Sequence, residues 1–232
     1  LKNILITGTT RGVGFDLAQY YIEKGHQVIG MARSEATIQH PKYIHLIADI
    51  SDESAVIAAM ALLRKEVKSV DVLINNAAVA NMNHLVTTPF ETFQKISAIN
   101  YGGTFLMMRE VSKMMIRQKQ GRIINFSSIS NPLNLETQAA YASSKAAVES
   151  LTRIAARELG SFGITVNTIT PTPLDHGLIK GIPEEWLNQV LTMQAIKRRG
   201  SVKDITHVID FLIAPEADFI TGQNIALGGV NV

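Results

Sequence analysis

The sequence predicts an α/β fold in which a parallel sheet is covered by helices on both faces. Three observations predict it. Short apolar runs alternate with helix-periodic segments along the chain, which marks strands joined by crossover helices. A glycine-rich turn (Gly8, Gly12, Gly14) stands between the first run and the first helical pattern. No Gly-, Ser- or Pro-rich linker divides the chain, so its 232 residues are expected to form a single doubly wound Rossmann domain, residues 1–232, with a seven-stranded parallel sheet.

Each element has its own reason. Asn3 to Thr7 is an apolar run stopped by Gly8, and the helix after it carries Val13, Leu17, Tyr21 and Ile22 on one side until Gly25 ends it. Gln27 to Met31 and Tyr43 to Ile47 read as the second and third strands. Glu53 to Val67 is helical, with Val56, Ala59, Met60 and Leu63 on one face, and Asp71 to Asn75 is the fourth strand. Phe90 to Lys119 holds one long helix or two. Arg122 to Phe126 is the fifth strand, Tyr141 to Leu159 a helix and Ile164 to Ile169 the sixth strand. Glu184 to Gln194 and Val202 to Leu212 look helical, and Asn224 to Leu227 closes the sheet.

Composition narrows the function. A net charge of +2 does not point to nucleic acid. With no cysteine and six histidines in no ligand-like spacing, neither disulfides nor a metal site is expected. No apolar run is long enough for a membrane span. The chain goes straight into a strand with no signal-peptide pattern, and a cytoplasmic location is expected.

Two stretches carry chemistry. Tyr141 and Lys145 stand one helical turn apart, with Ser128 upstream. A phenol titrates near pH 10, and a neighbouring ammonium favours the phenolate. Lowering the phenol to about 7 takes roughly 4 kcal/mol, more than one lysine supplies, so a cationic cofactor ring is expected to add the rest. At the other end, Gly8, Thr10, Arg11, Gly12, Val13 and Gly14 join strand to helix, where backbone N–H groups receive a pyrophosphate. The second strand ends in Met31-Ala32-Arg33, with no carboxylate to hold ribose hydroxyls. Arg33 and Arg11 are instead expected to face a 2′-phosphate, which favours NADPH/NADP+ over NADH. Asp49 and Ile50 follow the third strand, with Asp49 set to accept from an adenine amino group, and Asn76 and Ala77 follow the fourth.

Together these residues resemble the short-chain dehydrogenase/reductase family, over essentially the whole chain. Thr7-Gly8, Gly12 and Gly14, then Asn75-Asn76-Ala77, match its cofactor motifs, and Asn100, Ser128, Tyr141 and Lys145 match its catalytic tetrad. Asn167, Pro171, Arg198-Arg199-Gly200 and Ile220-Thr221-Gly222 resemble later landmarks. The resemblance implies an NADP-dependent enzyme. Tyr141 would exchange a proton with the substrate oxygen, Ser128 bond that oxygen, and Lys145 lower the tyrosine pKa and hold the nicotinamide ribose. Asn100 would hold a water in a proton relay, and Pro171 and Thr172 would lie beside the nicotinamide. Four departures stand out: Ala78 and Thr172 where glycines are usual, Asp175 near where a threonine often meets the cofactor amide, and Gly228-Gly229-Val230 near the end.

Within the family the layout is most similar to 3-oxoacyl-[acyl-carrier-protein] reductases. That implies reduction of a 3-oxoacyl thioester, bound to carrier protein or CoA. The alternatives are a small-molecule ketone or alcohol, and a non-catalytic nucleotide-binding partner subunit. The apolar segment of about 172–197 is expected to form a substrate lid. Arg109, Lys113, Arg117, Lys119 and Arg122 form a basic stretch suited to an acidic acyl carrier protein. Alanines along the helix after Tyr141 suit close subunit packing, and a homotetramer is expected, with a dimer second.

Overall fold

The computed structural model describes residues 1–175 and 182–230. Seven parallel strands lie in the order β3-β2-β1-β4-β5-β6-β7. They are β1 (Asn3–Thr7), β2 (Gln27–Ala32), β3 (Tyr43–Ile47), β4 (Val72–Asn75), β5 (Gly121–Phe126), β6 (Ile164–Thr170) and β7 (Asn224–Ala226). The helices are α1 (Gly12–Glu23), α2 (Glu53–Glu66), α3 (Phe90–Ser97), α4 (Thr104–Gln118), α5 (Ala139–Leu159), α6 (Glu184–Thr192) and α7 (Val202–Ile213). Strand order reverses between β1 and β4, and such a switch point opens a crevice above the carboxyl ends of the strands.

Alternation along each strand builds two cores. Leu5, Leu73, Ile123 and Val166 face α2 and α4. Ile4, Ile6, Val72, Ile74 and Ile124 face α1 and α7. A third cluster joins Ile129, Val190 and Val230, with Leu133, Leu135 and Trp186 against it, at the carboxyl edge.

The long segment from Phe90 is neither one regular helix nor two separate ones. A π-helical turn, Ala98–Gly103, joins α3 to α4. Gly103, the last residue of this turn, leaves room for Ile50: a Cβ there would stand 2.6 Å from Ile50 Cδ1. The fifth helix begins two residues ahead of Tyr141, at Ala139. Leu178 and Ile179 of the expected lid lie outside the described residues.

The basic stretch is corrected. Arg117 and Lys119 end α4 just before β5 begins, so they lie at the amino edge of the sheet, away from the crevice. Arg122 is 6% exposed because it points into the sheet face under α7. Arg109 and Lys113 are paired with Glu110 at 2.9 and 2.6 Å, and Arg109 also with Glu53. Arg109 and Lys113 thus meet carboxylates on their own surface, and the five basic residues do not gather at the mouth of the crevice.

Candidate active site

A cavity of about 1380 Å³ opens above the carboxyl ends of the strands. Its walls include Gly8, Thr10, Arg11, Gly12, Val13, Arg33, Asp49, Ile50, Asn76 and Ala77 at one end, and Ser128, Tyr141, Lys145, Pro171 and Thr172 at the other. Two of the sequence-derived residues stand behind the wall. Gly14 packs helix on loop: a Cβ there would stand 2.2 Å from the Gly8 carbonyl oxygen. Asn100 is fully buried.

The nucleotide end fits a dinucleotide. Gly8 and Gly12 hold φ of 78° and 60°, open to glycine at little cost. No side chain caps the start of α1 and no acidic residue occupies its first turn, so its N–H groups and dipole remain available to an anion. Thr7 ties the two central strands together: its hydroxyl accepts from the N–H groups of Asn76 (3.1 Å) and Ala77 (3.0 Å), and its carbonyl accepts from the Asn76 amide at 2.9 Å. Asp49 Oδ1 accepts from the N–H and hydroxyl of Ser51 at 2.9 and 2.6 Å, while Arg33 approaches its other oxygen only to 4.0 Å.

At the other end the tetrad candidates are held by backbone. Lys145 Nζ donates to Phe126 O at 2.8 Å and sits 5.8 Å from the Tyr141 ring centroid. Burial pulls the Lys145 pKa down to about 8. Burial also pushes Tyr141 above its ordinary value, outweighing the opposite effect of its hydrogen bond with Ser128. Desolvation is the largest influence on this phenol, and it acts against the lowering expected from Lys145 together with a cationic cofactor ring. The Ser128 hydroxyl lies 3.1 Å from that of Ser130 and accepts from the Ser130 N–H at 3.2 Å.

Asn100 is a clamp. Its Nδ2 donates to Val79 O (2.9 Å) and to Ser144 Oγ (3.0 Å), and its Oδ1 accepts from Val79 N at 2.9 Å. Both amide hydrogens are used, so the side chain fastens the loop after β4 to α5.

Thr172 and the Gly228 turn, both departures from the family pattern, meet each other. A Cβ on Gly228 would stand 2.7 Å from Thr172 Cγ2. The methyl group added at 172 fits where position 228 has no side chain.

Sequence reasoning missed several wall residues. Gln138 is 4% exposed, lines the cavity three residues before Tyr141, and shows no side-chain hydrogen bond to a described residue. Ser127 also lines the cavity, and its hydroxyl donates to Glu149, one turn beyond Lys145. The spacing of Gln138 and Glu149 from Tyr141 and Lys145 was the available signal.

A family model described as "Enoyl-(Acyl carrier protein) reductase" matches residues 8–231. The chain belongs to the short-chain dehydrogenase/reductase family. It is an oxidoreductase of that family by its similarity to curated members. It is 32% identical over 234 residues to the 3-oxoacyl-[acyl-carrier-protein] reductase FabG of Vibrio cholerae, covering 98% of this chain and 96% of the relative. It is 32% identical over 238 residues to the same-named protein of Staphylococcus aureus (strain Mu50), covering 98% and 97%. A short chain dehydrogenase from Bacillus anthracis shares the fold, with a TM-score of 0.90 at 24% identity, covering 98% of this chain and 95% of that one.

Proposed function

We propose that this chain reduces the 3-oxo group of an acyl thioester with NADPH, with Tyr141 as general acid. The observation that carries the reading is the joint setting of Tyr141. The phenol is kept protonated by burial, faces Ser128, and shares one cavity with the glycine cradle. A bound reduced nicotinamide supplies the hydride. Ser128 donates to the carbonyl oxygen, Tyr141 gives it a proton, and Lys145 holds the cofactor ribose and stabilises the phenolate that remains. Asn100 keeps α5 in register with the loop after β4. Arg33 and Arg11 favour the 2′-phosphate, and Asp49 accepts from the adenine.

The substrate end supports an acyl chain. Ile129 and Leu135, with Ile182, Trp186, Leu187 and Val190 of the lid segment of residues 172–197, give it an apolar wall. The carboxamide of Gln138, on the cavity wall beside Tyr141, suits the second carbonyl of a 3-oxoacyl thioester, to which its N–H would donate. The thioester is carried by CoA or by a carrier protein, as in the names of the FabG relatives. Exposed Tyr101, Phe105 and Ile154 on α4, α5 and the π-helical turn suit subunit contacts, and a cytoplasmic homotetramer completes the reading.

The description of the matching family model favours a second reading, reduction of a 2-enoyl thioester. Incubation with NADPH and either thioester, followed by mass spectrometry, separates the two. The expected product is the 3-hydroxyacyl thioester from the 3-oxo substrate alone. A saturated acyl product from the enoyl substrate would replace the reading.

A further inference from the structure

A chain of hydrogen bonds runs beneath the nucleotide end of the cavity. Thr9 Oγ1 lies 2.8 Å from Tyr43 Oη, Tyr43 Oη lies 2.9 Å from His45 Nδ1, and His45 Nε2 lies 2.9 Å from the carbonyl oxygen of Ser34. The direction of every proton in a neutral chain follows from its last link. A carbonyl only accepts, so His45 Nε2–H donates to Ser34. Nδ1 is then an acceptor, Tyr43 donates to it, and the phenol oxygen accepts from Thr9.

The two ends of this chain are functionally distinct places. Thr9 is fully buried inside the glycine loop. Ser34 follows Arg33 in the segment after β2, and both line the cavity. A second tie closes the same gap, since the Thr37 hydroxyl donates to Thr10 O at 3.2 Å. Tyr43 and His45 lie two apart on β3 and so project from one face of the sheet. The phenol passes over Gly30, where a Cβ would stand 2.0 Å from Tyr43 Oη and 2.4 Å from Thr9 Oγ1. Gly30 is thus bare to let the relay through.

We infer that Tyr43 and His45 are positioning residues for cofactor selectivity: the Thr9–Tyr43–His45–Ser34 chain fixes the Arg33–Ser34 segment against the glycine loop and so presets the site for a 2′-phosphate. The inference rests on the NADPH reading given above. Groups held in place before binding lose less freedom when the ligand arrives, and the gain falls on the ligand that uses them. NADPH uses the Arg33–Ser34 segment through its 2′-phosphate, and NADH does not.

The test is binding, measured by titration calorimetry with NADPH, NADH and the fragment 2′,5′-ADP. Wild-type protein is compared with His45→Ala, which leaves the half-buried Tyr43 phenol in place, with Tyr43→Phe, and with His45→Gln. Both of the first two variants are expected to weaken NADPH and 2′,5′-ADP by about tenfold, the effect of one lost hydrogen bond of roughly 1.4 kcal/mol, with NADH changed less than about twofold. The His45→Gln carboxamide both accepts and donates, and is expected to restore most of the selectivity. Equal weakening of NADPH and NADH, or an unchanged ratio in His45→Ala, overturns the inference. A wild-type protein that does not prefer NADPH overturns the NADPH reading itself, a separate and visible failure. Thermal melts accompany each titration, and should Tyr43→Phe fail to fold, His45→Ala decides.

Discussion

Lys145 Nζ donates to the carbonyl oxygen of Phe126, the last residue of β5, at 2.8 Å. The ammonium is buried with that one hydrogen-bonding partner among the described residues, and its pKa falls to about 8. An unfolded lysine titrates near 10.4. Between these two values the unfolded chain binds more protons than the folded one, so this group adds stability as pH rises. Below pH 8 both states are protonated and the burial penalty is felt in full. Lys145→Met removes the titration. The stability of wild type minus that of Lys145→Met is expected to rise between about pH 8 and 10. Urea midpoints at several pH values measure it, and a flat or falling difference would contradict the burial.

Thr137 holds a φ of 65°, a region that a β-branched residue occupies only under strain, and its hydroxyl is buried without a partner. Thr137→Gly is expected to stabilise the chain by about 1 kcal/mol, or roughly 2–4 °C in Tm. Thr137→Ala keeps the strain and is expected to gain less. A melt in which the glycine variant is the less stable would show that the turn is not strained.

The Thr152 hydroxyl is a junction under the active-site helix. It donates to Val148 O and accepts from Asn125 Nδ2 and Thr168 Oγ1, each at 2.8 Å, and Asn125 also accepts from Asn75. Thr152→Val keeps the shape and strands two buried donors. A loss of about 2–4 kcal/mol is expected in denaturant unfolding. A change under about 0.5 kcal/mol would mean that the network reorganises around the methyl group.

Gln138 bears on substrate choice. Gln138→Leu is expected to lower kcat/KM for a 3-oxoacyl thioester by about tenfold and to leave a simple ketone nearly unchanged. Equal losses on both would make Gln138 a support for α5 and not a reader of the second carbonyl.

The legible and hidden parts of this molecule divide on physical grounds. The strands were readable because each is a short apolar run ended by a turn residue, as Gly8 ends β1. The glycine loop, Ser128, Tyr141 and Lys145 were readable because their chemistry is local and their spacing regular. The π-helical turn at Asn100 was not, because no residue of Ala98–Gly103 breaks the helical pattern, and the packing of Ile50 on Gly103 appears only in the fold. The burial of Arg122 was hidden for the same reason: a basic residue at a strand start looks exposed until the covering helix is known. Tyr43 read as an ordinary strand residue, since only the fold brings its phenol over Gly30. The burial of Tyr141 was hidden because spacing reveals the neighbouring charge but not the depth of the site.

The most direct test concerns Tyr141 as proton donor. NADPH oxidation in the presence of a 3-oxoacyl thioester is followed by the loss of reduced-cofactor absorbance, with wild type and Tyr141→Phe compared at equal cofactor occupancy. The expected result is rapid turnover by wild type and a loss of at least about 100-fold in kcat for the variant, the scale of general acid catalysis, with NADPH affinity retained. Turnover by Tyr141→Phe close to that of wild type would contradict the proposed role of Tyr141.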